Sequence, residues 1–173
     1  MSLLFLVSII IFSLFISFQD FKERKVSVWV LIGFSVLLCS EAFWSLPLKQ
    51  VLAQVFLNVC FLLIQFALVF LYYYVRYKGT KKLMSSFGGA DIWVLVSLVI
   101  AFALPNFMIF MIFSLVLSML TYLIYRTISA NSSGYIPLAG FISLIYCISR
   151  IIMYFYSPLL QWDDGWVQEI MGQ

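Results

Sequence analysis

No histidine occurs anywhere in the 173 residues. That absence excludes imidazole-based nucleophilic triads, imidazole proton shuttles and most zinc or haem sites. Charge is scarce as well. Acidic and basic residues make up 10% of the chain, against about 25% in an ordinary soluble domain. Cysteine is limited to Cys39, Cys60 and Cys147, each in a separate apolar run and without CxxC spacing. They are expected to pack as small hydrophobes, with neither a disulfide nor a metal among their roles. What is abundant is apolar surface: 65% of the residues are hydrophobic and 19% aromatic. The chain is therefore expected to be an all-α integral membrane protein, a single polytopic domain over residues 1–173 whose main environment is the lipid bilayer. No cofactor, metal or nucleic-acid partner is expected.

Taken in order, the apolar runs predict six transmembrane helices near 2–18, 26–44, 50–74, 91–104, 107–125 and 135–156. The first run has no basic n-region and no A-x-A-like cleavage site, so it reads as a retained helix and not a signal peptide. A loop is expected from Asp20 to Lys25, and Pro105-Asn106 is expected to turn the chain into the fifth span. Arg126 to Gly134 reads as a polar loop, and an acidic tail carries Asp163, Asp164 and Glu169. Ser13, Ser17 and Asp20 fall at i, i+4 and i+7, a polar stripe on one helical face. Gln54, Asn58 and Gln65 form a second stripe on the third span, expected to face the bundle interior as interhelical hydrogen-bonding glue.

Orientation is read from the basic residues. Lys22, Arg24, Lys25, Arg76, Lys78, Lys81, Lys82 and Arg126 follow spans one, three and five, whereas the opposite loops hold only Lys49. The bias predicts an N-out/C-out topology with Asp20 and Asp91 at the cytosolic boundary. Arg150, deep in the sixth span, needs explanation: Glu41 at the matching outer end of the second span is the expected partner, and snorkelling is the alternative. Gly140, Ser143 and Cys147 read as a small-residue packing seam.

Two aspartates on one side invite a chemical reading. Singly, Asp20 is a helix-end charge beside Lys22, Arg24 and Lys25, and Asp91 is a first-turn acid that suits the helix dipole. Jointly they mean more, because apart from Glu23 they are the only acids predicted on the cytosolic side. Two carboxylates brought together do not both ionise easily, which yields one acid and one base from identical side chains. Such a pair hydrolyses amides by activating water, without metal or covalent intermediate. Gly88, Gly89 and Ala90, just before Asp91, leave room for another backbone to come close.

In these residues the chain resembles the type IV prepilin peptidases, membrane aspartic proteases with a Gly-x-Gly-Asp signature. Asp20-Phe21-Lys22-Glu23-Arg24-Lys25-Val26-Ser27 is similar to the family's first aspartate motif, and Gly88-Gly89-Ala90-Asp91 to its second. Tyr135-Ile136-Pro137-Leu138-Ala139-Gly140 is similar to the start of its last core helix. Ser27 stands where many members have proline. Ala90 replaces the second glycine, as in the preflagellin-type members.

The resemblance covers essentially the whole chain and implies an aspartic endopeptidase with Asp20 and Asp91 as catalytic residues and Gly88, Gly89 and Ala90 as the active-site loop. It implies substrates of the prepilin or pseudopilin kind, cut after a short basic leader at the cytosolic face of a prokaryotic cytoplasmic membrane. The family's four-cysteine insertion and its methylating activity have no counterpart, so a minimal, peptidase-only form is expected. The alternative is a non-catalytic membrane assembly subunit, or a degenerate relative that keeps the fold; Ala90 favours it and the retention of both aspartates opposes it. A transporter fits poorly, because the chain has no internal repeat and no midplane acid.

Overall fold

The polar connections between the apolar runs explain where each helix stops. The computed structural model describes residues 3–77, 88–128 and 137–156, and its elements are all helices. α1 spans Leu3–Glu23. It runs past the expected end at 18, so Asp20 lies inside the helix and not in a loop after it. The helix ends at Arg24, whose φ of 53° is left-handed and whose N–H donates to the Asp20 carbonyl at 3.1 Å. A non-glycine residue in that region is uncommon, and here it turns the chain out of α1. α2 covers Val28–Ser45. The Ser27 carbonyl accepts its first N–H groups, while the Ser27 N–H donates to the Gln19 side chain at 2.9 Å.

Pro47 sets the next boundary. Leu46 before it is extended, as a residue preceding proline must be, and the Pro47 carbonyl receives Gln50 and Val51 as α3 begins. α3 covers Leu48–Tyr77, about 45 Å at 1.5 Å per residue. α4 is Gly89–Leu98, α5 is Leu104–Ile128 and α6 is Leu138–Tyr156, preceded by Pro137. Arg126 is therefore helical backbone and not part of a loop.

Five helices (α1, α2, α3, α5 and α6) are long and apolar enough to cross a membrane. The fourth expected span is not one continuous helix. α4 has 10 residues, about 15 Å, roughly half of a bilayer's hydrocarbon thickness. Pro105 supplies the reason. A helix continued from α4 would set the proline ring against the carbonyl four residues earlier, so the chain leaves helical geometry over 99–103 and restarts at Leu104. Pro105 then sits in the first turn of α5, where its missing N–H costs nothing. The turn lies before Pro105-Asn106 and not at it.

Breaking a helix inside an apolar bundle exposes carbonyls that lipid does not satisfy. Asn58 of α3 answers this: its Nδ2 donates to the carbonyls of Val99 and Phe102, both at 2.8 Å. The predicted α3 stripe is thus interior-facing glue at Asn58, which is buried, while Gln54 and Gln65 are half-buried. Around the break, Phe102 stacks on Phe110 with centroids 4.9 Å apart, and Tyr146 meets Phe34, Phe102 and Phe110 edge-on.

α6 is the hub. It packs most extensively on α1 and also meets α4 and α5, while α2 lies against α1 and α4. Arg150 of α6 is ion-paired with Glu41 of α2, the partner expected, and both are 1% exposed. Cys39, Cys60 and Cys147 are free thiols. The residues Ser85 to Phe87, the lysines 78, 81 and 82, positions 129–136 with Tyr135 and Ile136 of the third motif, and the acidic tail lie outside the described residues.

Candidate active site

Asp91 is the third residue of α4, counting from Gly88 as the cap. An acid at that position complements the positive end of the helix and bonds back to the cap. Its Oδ2 accepts the Gly88 N–H at 2.9 Å, so the carboxylate is fixed to its own helix. Its other oxygen leaves the helix. Oδ1 accepts the Ala139 N–H of α6 at 2.7 Å.

Asp20 reaches the same turn from α1. Its Oδ2 accepts the N–H of Gly140, the residue after Ala139, at 2.6 Å. The polar stripe predicted on α1 carries it there: Ser13, Ser17 and Asp20 are all buried against α6. The Ser17 hydroxyl lies 2.9 Å from the carbonyls of both Ser13 and Gly140. One turn on, Phe21 and Phe141 pack edge to face with centroids 4.9 Å apart.

The two aspartates, far apart in sequence, are thus tied to consecutive amides of one helical turn, whose Cα atoms stand about 3.8 Å apart. The pair is largely withdrawn from water, with relative exposures of 7% for Asp20 and 8% for Asp91. The Asp91 carboxylate acts electrostatically on Asp20, as does the Arg24 cation. The amides that face them are the unpaired N–H groups of a helix start, where the helix dipole is positive. Such donors reduce the repulsion between the acids. Two acids so placed can hold one water and divide the roles of base and acid.

Of the predicted loop, Gly88 and Gly89 are exposed, and a Cβ at Gly89 would meet nothing within 4 Å. The open space that the sequence suggested beside Asp91 therefore lies at Gly89. Ala90 differs: its side chain packs against the hydrophobic core, so a methyl group in place of the second glycine is accommodated inward. An apolar cavity of about 270 Å³ opens beside the site, walled by Leu62, Gln65 and Phe66 of α3, Leu95 of α4, Met111 of α5 and Leu138 of α6. Among the described residues, no three His, Cys, Asp or Glu side chains cluster as a metal site would need.

The amides of Ala139 and Gly140 are functional groups that a reading of side chains missed. Their signal was Pro137 with the small residues Ala139 and Gly140 two and three positions on, which marks a helix start with unobstructed N–H groups. Compared with known protein families, curated proteins and solved structures, the chain matches none.

Proposed function

We propose that this chain is a membrane aspartic endopeptidase of the prepilin-peptidase kind. It removes the short basic leader of prepilin- or pseudopilin-like precursors, with Asp20 and Asp91 as the catalytic pair. One observation carries the reading: carboxylates from α1 and α4 converge on adjacent amides of α6. A purely structural role accounts for Asp91 as a first-turn acid, but gives no reason to bring a second buried acid beside it.

In this reading one carboxylate is ionised and takes a proton from a water held between the pair. The other is protonated, polarises the scissile carbonyl and then gives its proton to the leaving amine. The exposed Gly88-Gly89 backbone leaves room for the substrate chain at the scissile bond. Lys22, Arg24 and Lys25 flank the Asp20 end, while Lys49 lies at the α2–α3 connection. On the positive-inside bias, the pair faces the cytosol of a prokaryotic cytoplasmic membrane and both termini are outside. α4 with residues 99–103 then serves as the short sixth crossing.

Coexpression with pilin-like precursors bearing a basic leader tests the activity. The expected result is a shortened product with an unmodified N-terminus, formed equally well in chelator because the chain offers no histidine or clustered cysteine ligands. An uncut precursor in every pairing, from protein present in the membrane, would return the chain to the non-catalytic reading. Single cysteines at positions 2 and 132, in a background without the native three, should label from opposite sides with an impermeant reagent.

A further inference from the structure

Two carboxylates that repel each other need something to hold them together. Here the holding groups belong to α6, and the room for them is made by a residue without a side chain. A Cβ on Gly140 would lie 3.1 Å from Asp20 Oδ2, 3.2 Å from Asp20 Cβ and 3.4 Å from the Ser17 carbonyl oxygen. Two of those three obstacles, a Cβ and a backbone carbonyl, are not flexible tips that swing aside. An added methyl therefore pushes α1 itself away from α6, and Asp20 with it. The Ser17 hydroxyl is held at 2.9 Å from the Gly140 carbonyl by the same close approach.

We propose that Gly140 is the positioning residue of the aspartate pair. Lacking a side chain, it lets α1 close on α6 until its N–H holds Asp20 beside Asp91, which the preceding Ala139 N–H holds in turn. Gly140 touches no substrate and acts only through the two acids. Its packing in the α1–α6 seam is the means to that end. The consequence for cleavage rests on the endopeptidase reading, whereas the consequence for the pair's titration does not.

Among the described residues, the charged groups near the pair are few. Arg24 reaches Asp20 from the end of α1, where Lys22 and Glu23 also lie. Lys25 precedes α2, Asp91 is the only charged residue of α4, and α6 has none before Arg150. A shift of α1 therefore alters two things at the pair, the Gly140 N–H bond that favours the ionised form of Asp20 and the coupling between the acids. Coupled acids lose their protons in two separated steps that belong to the pair, and moving them apart draws the steps together.

The test uses the full chain in lipid nanodiscs. Carboxyl protonation is followed by infrared titration, with the Asp20→Asn spectrum subtracted to isolate the pair. Wild type should show two separated steps, and Gly140→Ala should show their separation changed. A second form replaces Gly140 with glycolic acid, an amide-to-ester change that deletes the N–H on Asp20 and adds no atom. It should alter the same titration, and it carries the test if Gly140→Ala fails to fold. On a synthetic peptide with a basic leader and an apolar helix, the ester form should cleave about 10-fold more slowly, the scale of one lost hydrogen bond to a charged group, and Gly140→Ala, which shifts the acid by a few tenths of an ångström, by a similar factor. The width of their pH–rate bell should also change, whereas general loosening of the fold lowers the rate equally at every pH.

Titrations of both forms that superimpose on wild type overturn the inference, whatever the peptide shows. Full cleavage by Asp20→Asn instead removes the endopeptidase reading and leaves the titration to decide the positioning role.

Discussion

α6 meets buried charge at two levels, and the two are built on opposite principles. At Arg150, a cation meets the Glu41 anion of α2, and the pair is closed: each charge is answered by the other. Ten residues earlier, about 15 Å along the helix axis, Gly140 and Ala139 meet two charges of the same sign. There the answer comes from amide dipoles, which favour the negative charge without cancelling it. A closed pair has its charges matched and serves to register one helix on another. A like-charged pair keeps a proton to share and an affinity for water, and that is what a hydrolytic site needs.

The sharpest way to break this comparison is to neutralise one member at each level. Asp20→Asn or Asp91→Asn should each lower cleavage by at least about 10³-fold at normal membrane abundance, with the double change little worse, because residues acting as one unit are not additive. Quantitative immunoblots of precursor and product check it, and substantial cleavage by either variant would leave Asp91 as a helix-start acid only.

Glu41→Gln should act in the other currency, costing about 3–5 kcal/mol of stability because it strands a buried guanidinium. Cleavage per folded molecule should hold. Replacing both partners, Glu41→Leu with Arg150→Met, should recover most of the loss in a detergent melting assay, since apolar groups leave no charge to satisfy. Lost cleavage in folded Glu41→Gln protein would erase the distinction between the two levels.

Asn58→Leu should cost about 1–3 kcal/mol by leaving the carbonyls at the α4–α5 break unsatisfied. Because α4 carries Asp91, a part of that change should also show as slower cleavage. The smallest effects are expected at the margin of the site. Glu23→Gln, on an exposed acid, should change cleavage by no more than about twofold, the scale of an ordinary surface substitution. Ala90→Gly should cost about 1 kcal/mol of helix stability and leave cleavage intact, because that methyl faces the core and not the opening at Gly89.

The long helices were legible because a membrane imposes a simple rule: an apolar run of sufficient length must satisfy its backbone internally, and a helix does so. The same rule made Arg150 conspicuous and pointed to Glu41. It failed at residues 91–104, where the run after Asp91 is apolar except for Ser97 and only Pro105 marks the interruption. The rescue by Asn58 comes from a different helix, so no local pattern announces it. The end of α1 was also misplaced, since the helix continues through charged residues until Arg24 turns left-handed.

The sequence by itself determined that this chain lives in a bilayer, that its basic residues fall on alternate connections, and that Asp20 and Asp91 carry charge where charge is scarce. Those properties depend on residue type and spacing along one chain. Only the tertiary structure decided that the two acids share one turn of α6, because that depends on how closely α1 and α4 approach a third helix. The approach is governed by an absent side chain at Gly140 and by backbone N–H groups that every residue but proline possesses. Groups common to nearly all residues leave no mark in a sequence, and packing alone gives them a role.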